Sequence, residues 1–295
     1  MVHHSSCPLC FSSDIRERLL CTDHFKSGEI FPLWTCSVCG FTFTQDHPDE
    51  DTLQHYYDSV DYISHSDTSG GLVNKIYKAV RVRMLRKKRQ IVKMETGLET
   101  GTLLDIGSGT GHFAAGMKDA GWTVRGIEIN QQARKTSSEK FGLEIISPGE
   151  KSALESDSYD CITLWHVLEH FTDLYGYIKE INRLLKPGGT CIIALPNIDS
   201  FDAMHYGQFW AAFDVPRHLW HFNPDIFGFL FEGRGFRVVN ISPLPLDVFY
   251  ISILSERYKE NSLAFLTGII KGSYFAFKAL FNKRRSSSLI YILKK

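Results

Sequence analysis

From residue 103 onward the chain alternates short apolar runs with longer stretches whose apolar residues recur every three to four positions. Leu103–Ile106, Val124–Ile129, Leu143–Ile146, Tyr159–Trp165 and Thr190–Leu195 read as buried strands. His112–Ala120, Gln131–Phe141 and Tyr175–Leu185 read as the helices between them. Gly121, Gly142 and the Lys186-Pro187-Gly188-Gly189 turn stop these helices. This alternation implies a doubly wound α/β fold, a parallel sheet covered by helices on both faces. Phe236–Ser242 and Leu289–Leu293 read as two late strands, and an apolar, largely helical insertion (about 248–283) lies between them.

The pattern before residue 103 is different. Residues 1–47 are rich in Cys, Ser and turn residues and show little helical periodicity. Residues 48–96 hold a Tyr- and Asp-rich stretch to Asp67, a Ser69-Gly70-Gly71 linker and a helix over Leu72–Met94. Val73, Ile76, Tyr77, Val80, Met84 and Ile91 mark one face of that helix, and Gly97 ends it. The expected order is therefore a small N-terminal segment (1–47), an acidic linker with a connecting helix (48–96), and the α/β domain (97–295).

Composition adds little to this, but charge placement adds more. A hydrophobic content of 43% and a net charge of zero describe an ordinary globular chain with no global attraction to a polyanion. Ser27–Asn74 carries eight acidic residues and no Lys or Arg, whereas Lys75–Lys93 carries nine basic residues and no acid. The two segments either face each other or leave a basic surface for an anionic substrate. Met1–Cys10 has no apolar core of a secretory signal. Lys271 and Lys278 interrupt the apolar run Leu263–Phe281, so no transmembrane helix is expected and a cytoplasmic location is.

In a reducing compartment, close cysteine pairs point to metal before disulfide. Cys7-Pro8-Leu9-Cys10 and Cys36-Ser37-Val38-Cys39 are two such knuckles, 25 residues apart. Together they offer four thiolates for tetrahedral Zn²⁺, with Cys21 and His24 as substitutes. A segment this short has too little core to fold alone, so zinc would stabilise it as a cap bordering the active site. Cys161 and Cys191 fall in strands and read as core residues.

The chemistry-bearing loop is Asp105-Ile106-Gly107-Ser108-Gly109-Thr110-Gly111. It follows a strand and opens a helix, so its glycines bring backbone close to a ligand and the helix offers free N–H groups. A dinucleotide fingerprint would want Gly at position 112, where His112 stands. The Asp105 carboxylate suits an ammonium and repels a phosphate. Glu128 ends the second strand, 17 residues beyond Gly111, and can take both ribose hydroxyls, with Ile129 beside it. The loop therefore favours a cationic nucleoside bearing an amino acid.

Leu103–Phe113, Gly126–Asn130, Tyr159–His170 and Leu184–Asn197 resemble the motifs of class I S-adenosylmethionine-dependent methyltransferases in order and spacing. The resemblance covers about residues 101–295. It implies a seven-stranded sheet with an antiparallel last strand and S-adenosylmethionine across the strand ends. Asp105, Gly107, Ser108, Gly109, Gly111, Glu128, Ile129 and Trp165 would then be its contacts. Where the family carries an acidic residue near the adenine, this chain has Ser147-Pro148-Gly149-Glu150.

The resemblance also places Trp165-His166-Val167-Leu168-Glu169-His170 at the methyl end of the cofactor. His166 and His170 are candidate bases for a hydroxyl or carbon acid. Quinone-type O-methyltransferases resemble this segment but carry Glu-x-x-Glu-His, a proposed metal site; here His166 replaces the first Glu. A second cluster, Asp214–His221, would wall the acceptor pocket. There Arg217 could hold an anion, His218 is a third candidate base, and His218 and His221 share a face if helical. A zinc knuckle ahead of the domain also resembles bacterial deoxysugar C-methyltransferases.

Thr267, Lys271, Tyr274 and Lys278 form one narrow polar stripe on the last helical stretch. That stretch packs on its own domain or a partner, or lies in a membrane interface with its lysines snorkelling and Lys283-Arg284-Arg285 meeting anionic headgroups. The expected activity is methylation of a small-molecule or lipid-linked acceptor. Two other readings are RNA methylation and a non-catalytic S-adenosylmethionine-binding module. No aromatic-interleaved basic strand of the RNA-binding type is present, so a nucleic-acid partner is not expected.

Overall fold

The computed structural model describes residues 1–57 and 72–295, without the side chains of 51, 54 and 72–80. The Ser69-Gly70-Gly71 linker, most of the acidic stretch, and the Val73, Ile76, Tyr77 and Val80 helix face lie outside the described residues.

Two sheets organise the chain. The N-terminal one contains β1 (Ile15–Thr22), β2 (Ile30–Cys36) and β3 (Thr42–Thr44), and antiparallel pairing joins each to the next. A one-turn helix α1 (Glu50–Leu53) follows, then the long connecting helix α2 (Leu72–Thr96), closed as expected by Gly97 in the left-handed region. The second sheet has seven strands. Along the chain run β4 (Thr102–Ile106), α3 (His112–Asp119), β5 (Thr123–Ile127), α4 (Gln131–Phe141), β6 (Glu144–Ile146), β7 (Tyr159–Trp165), α5 (Leu174–Leu184) and β8 (Leu185–Pro196). After α6 (Phe201–Tyr206) come β9 (Trp220–His221), α7 (Pro224–Glu232), β10 (Arg237–Pro243), α8 (Asp247–Tyr258), α9 (Ala264–Phe281) and β11 (Ser288–Lys294).

The order across the large sheet is β10-β11-β8-β7-β4-β5-β6. Neighbours from β8 to β6 run parallel, and β11 is antiparallel to both β8 and β10. The doubly wound seven-stranded sheet is therefore present, its late strand reversed. Its middle strands are apolar throughout because both faces are covered: Leu103, Leu104, Ile162, Leu164, Ile192, Ile193 and Ile290 are all buried.

Two boundaries differ from the sequence reading. β5 stops at Ile127, so Glu128 and Ile129 stand past the strand end, free to meet a ligand. The Lys186–Gly189 turn does not precede β8 but bulges out of it, between the pairs Tyr159–Leu185 and Cys161–Thr190.

The N-terminal segment is not a separate body. Its sheet takes a fourth strand, β9, from the far end of the chain: Thr42 pairs with His221 and Phe43 with Trp220. Cys7, Leu9, Cys36, Phe41 and Phe43 share one buried cluster with Leu104, Trp220 and Phe222.

Candidate functional site

The strand ends of β4, β5 and β7 frame the first group of residues. After Ile106 the N–H groups of Gly107 and Ser108 donate to the Ile127 carbonyl at 2.8 and 3.1 Å, which fixes the turn. A Cβ at Gly107 (φ +71°) would stand 2.3 Å from Val167 Cγ2, so no side chain fits. Gly109 (φ +52°) is the reverse case: nothing lies within 4 Å of its Cβ position, so its backbone borders open space. The Glu128 carboxylate accepts from the Gly109 N–H at 2.7 Å and from the Asn130 N–H at 2.9 Å. Its remaining lone pairs suit a diol. Ile129 beside it is 73% exposed, an apolar side chain without cover.

Asp105 is buried in β4 and accepts from Thr163 Oγ1–H at 2.7 Å. Burial raises its pKa to about 7, with Glu128 adding to the rise and Thr163 and Lys88 opposing it. The indole N–H of Trp165 and the hydroxyl of Ser108 are buried with no hydrogen-bond partner among the described residues. A cradle open at Gly109, bordered by unsatisfied polar atoms and two carboxylates, fits a cationic nucleoside.

Sequence reasoning missed two residues here. Lys88 of α2 places Nζ 4.4 Å from the Trp165 ring centroid. Burial lowers its pKa, and Asp105 and Asp247 oppose the change. Only the position of Lys88 in an unbroken basic run was legible. Asp247 opens α8 and reaches His166, with Nε2 to Oδ2 at 3.0 Å. His166 Nδ1 lies 3.6 Å from Glu169 Oε1. Burial disfavours the imidazolium, but the two carboxylates outweigh it and lift His166 to about 9. Its φ of +60° is a left-handed conformation that costs a non-glycine residue about 1 kcal/mol or more and persists where the surroundings hold it.

The second group is Glu169, His170 and His218, whose potential ligand atoms all lie within 4.8 Å of one another. His170 Nδ1 is 3.0 Å from the Arg217 carbonyl and 2.8 Å from the Tyr57 hydroxyl. His218 Nδ1 is 2.9 Å from the Ala212 carbonyl. A carbonyl only accepts, so Nδ1 of His218 carries the hydrogen and its Nε2 keeps a lone pair; His170 does the same when its Nδ1 donates to the Arg217 carbonyl. Glu169 is 1% exposed, and neither of its oxygens has a hydrogen-bond partner among the described residues. Burial pushes its pKa up, yet His166, His218 and His170 outweigh this and hold it below the usual range. His170 is lowered to about 4, first by burial and then by His218. Among the described residues these three acceptors face one another with no hydrogen bond closing the group, and the His166 imidazolium borders it at 3.6 Å, an arrangement that suits a ligand proton or a cation.

Arg217 and His221 differ from the sequence reading. Arg217 is 2% exposed and bound at 2.8 Å to Asp23 and 2.7 Å to Asp214, so its charge is already neutralised and no substrate anion reaches it. His221 is in β9, not on a helix with His218, and its Nε2 is 3.0 Å from Thr44 Oγ1.

The N-terminal cap reaches this second group directly. Thr44 Oγ1 donates to the His218 carbonyl at 2.7 Å, and Tyr175 hydroxyl donates to the Pro8 carbonyl at 3.0 Å. Cys7, Cys10, Cys36 and Cys39 place their four sulfurs within 4.8 Å of one another. The Cys7–Cys39 and Cys10–Cys36 separations of 3.6 and 3.5 Å are far too long for disulfides. Four thiolates about 2.3 Å from a tetrahedral Zn²⁺ would sit about 3.8 Å apart, so the donor set fits. Cys21 lies in β1, outside this group, and His24 stacks on Tyr258 at 4.3 Å.

The profile of a family described as "Methyltransferase domain" matches residues 78–241, more than half of the chain. The chain is similar to a ubiquinone biosynthesis O-methyltransferase of Thiobacillus denitrificans, 32% identical over 94 residues, 30% of this chain and 40% of the relative. It is also similar to a demethylmenaquinone methyltransferase of Chlorobaculum tepidum, 26% identical over 154 residues, 50% and 60% of the two chains. The chain thus spans about half the length of the curated relatives it matches. A solved S-adenosylmethionine-dependent methyltransferase of Archaeoglobus fulgidus shares the fold at TM-score 0.50 and 20% identity, covering 73% of this chain and 94% of that one. With its glycine loop, its paired carboxylates and the larger part of its length inside the matched domain, the chain belongs to the methyltransferase-domain family.

Proposed function

We propose that this protein is an S-adenosylmethionine-dependent methyltransferase acting on a small acceptor that carries an ionisable O–H or C–H. The observation that carries the reading is the adjacency of two sites with complementary needs: a carboxylate-lined cradle for a cation, and beside it three acceptor groups that no hydrogen bond among the described residues joins.

Asp105 would hold the ammonium of the donor, Glu128 the ribose hydroxyls, and the open backbone at Gly109 the chain between them. Ile129 would cover the adenine, and Trp165 would face the sulfonium side. When bound, the donor supplies an activated methyl group, so the protein's task is alignment and proton removal. His166, raised to about 9, is charged at neutral pH and has no lone pair to offer. The base is then His170 or His218, each with a free Nε2, and Glu169 stabilises the imidazolium that forms. The four cysteines would hold a structural Zn²⁺ that fixes the cap against His218. Quinone-like and lipid-linked phenols fit an acceptor of this kind.

Incubation with methyl-labelled donor and fractionated metabolites tests the reading: label transfer is expected, and its failure with every fraction favours a non-catalytic binding module. In calorimetry, Gly109→Arg should weaken donor binding by at least about a hundredfold, since the side chain fills the space the ligand needs. Unchanged zinc content would show that the cap still folds. If donor binding survives, the cofactor placement is wrong.

A further inference from the structure

The C-terminal hairpin inverts the amphipathicity expected of a helix pair on a globular protein. Helix α9 spans 18 residues and is long and apolar enough to cross a membrane by length and composition, but it does not read as a span. One face is fixed to its own domain. Gly268 and Gly272 bring its backbone against α8, where a Cβ would meet Ile253 Cα at 2.5 Å and Phe249 Cδ1 at 3.0 Å. Lys271 turns inward to Glu256 at 2.6 Å, Thr267 donates to the same carboxylate at 3.1 Å, and Lys278 lies 4.3 Å over the Phe201 ring. Thr267, Lys271 and Lys278 of the polar stripe read from the sequence therefore face the protein, so these lysines do not snorkel outward, and only Tyr274 of that stripe is exposed.

The other face is bare. Phe265, Leu266, Ile270, Tyr274, Phe277, Leu280 and Phe281 are each more than half exposed, and Leu263 and Tyr250 extend the patch. These positions recur at the three-to-four spacing of one side of a helix about 27 Å long. Soluble surfaces do not carry a contiguous apolar patch of this size without an occupant.

Charge selects the occupant. The chain is neutral overall, yet from Asp247 to Arg285 there are seven basic residues and three acidic ones. Two of those acids are already engaged, Glu256 with Lys271 and Asp247 with His166. Lys283 stands exposed directly after the apolar face, beside Arg284, which is exposed but pairs with Asp225 at 2.6 Å, and Lys259 stands at the other end. No acidic side chain interrupts α9. An apolar stripe rimmed by cations matches an anionic bilayer, where the stripe enters the acyl boundary and the basic rim meets phosphate headgroups.

We infer that the α8–α9 hairpin docks the protein on anionic membranes as an in-plane, one-faced anchor. The hairpin is rooted at the catalytic cluster, because its first residue, Asp247, holds His166. Docking thus brings the cluster next to the lipid surface. The docking stands without the methyl-transfer reading; its consequence, an acceptor borne by the membrane, rests on that reading.

The test is flotation of the full chain with vesicles of phosphatidylcholine, with and without phosphatidylglycerol. Binding is expected only where phosphatidylglycerol is present, falling as salt rises. Ile270→Glu and Phe277→Glu, both at exposed positions, should each weaken it more than about tenfold, with unchanged thermal unfolding and unchanged donor binding. Lys283→Gln should weaken it about fivefold. No flotation on anionic vesicles, or flotation indifferent to both apolar substitutions, overturns the proposal. So does a lipid-free dimer that Phe277→Glu dissociates while vesicles are not bound, since the face then belongs to a second copy. Donor affinity measured alongside separates failure of docking from failure of the cofactor reading.

Discussion

The donor cradle and the surfaces around it are built by different rules. In the cradle, residues within one β-α-β unit do nearly everything: Gly107 turns, Glu128 reaches back over the same loop, and Asn130 caps the next helix through Ala133. Around it, contacts join residues very far apart in the chain. Arg217 is held by Asp23, His218 by Thr44, and His166 by Asp247. The cradle should therefore tolerate damage to the cap, and the histidine cluster should not.

Removing the zinc proposed for the four cysteines applies the strongest pressure to that difference. The four-cysteine group ties together a segment with little core of its own, so chelation or Cys36→Ser should cost several kcal/mol and lower the melting temperature by on the order of 10 °C. Donor binding at temperatures where the protein stays folded should change little. A loss of donor affinity as large as the loss of stability would break the distinction. Arg217→Met comes next. It leaves Asp23 and Asp214 facing each other without their cation, and about 3–5 kcal/mol of destabilisation is expected in denaturant unfolding. Adding Asp23→Asn should recover part of it; no recovery would mean that packing rather than charge holds the junction.

The sequence made the cradle legible for the same reason that it is local. A run of glycines after one strand and a carboxylate at the end of the next leave marks within 30 residues, and strands buried on both faces read as unbroken apolar runs. The N-terminal sheet was not legible, because Trp220-His221, its fourth strand, is two residues long and lies far along the chain. Arg217 read as a substrate contact because nothing in its neighbourhood names Asp23. The apolar run of α9 carried no information about which face turns inward; Glu256 decides that, and it lies on another helix.

Inside the cradle, Asp105 offers a smaller test. Its carboxyl is raised to about 7, chiefly by burial, so below that pH a cationic donor must displace a proton to bind. Affinity should then rise about tenfold per pH unit up to pH about 7 and level off above it. Asp105→Asn should remove the slope as well as weaken binding. A flat profile in the parent protein would mean that Asp105 is ionised throughout and that the cradle is wetter than its burial implies.

The smallest effect concerns the contact of His166 with Asp247, which joins the histidine cluster to the hairpin. His166 is raised from 6.5 to about 9 by Asp247 and Glu169 acting against burial. A raised histidine stabilises the fold fully below pH 6.5, and the contribution fades as pH rises through about 9. Asp247→Asn should lower the His166 titration midpoint seen by NMR of its ring and flatten the loss of stability between those two values. Glu169 remains as one partner, so part of the elevation should persist. An unmoved midpoint would show that Glu169 alone sets the charge of His166, and that the hairpin touches the histidine cluster without tuning it.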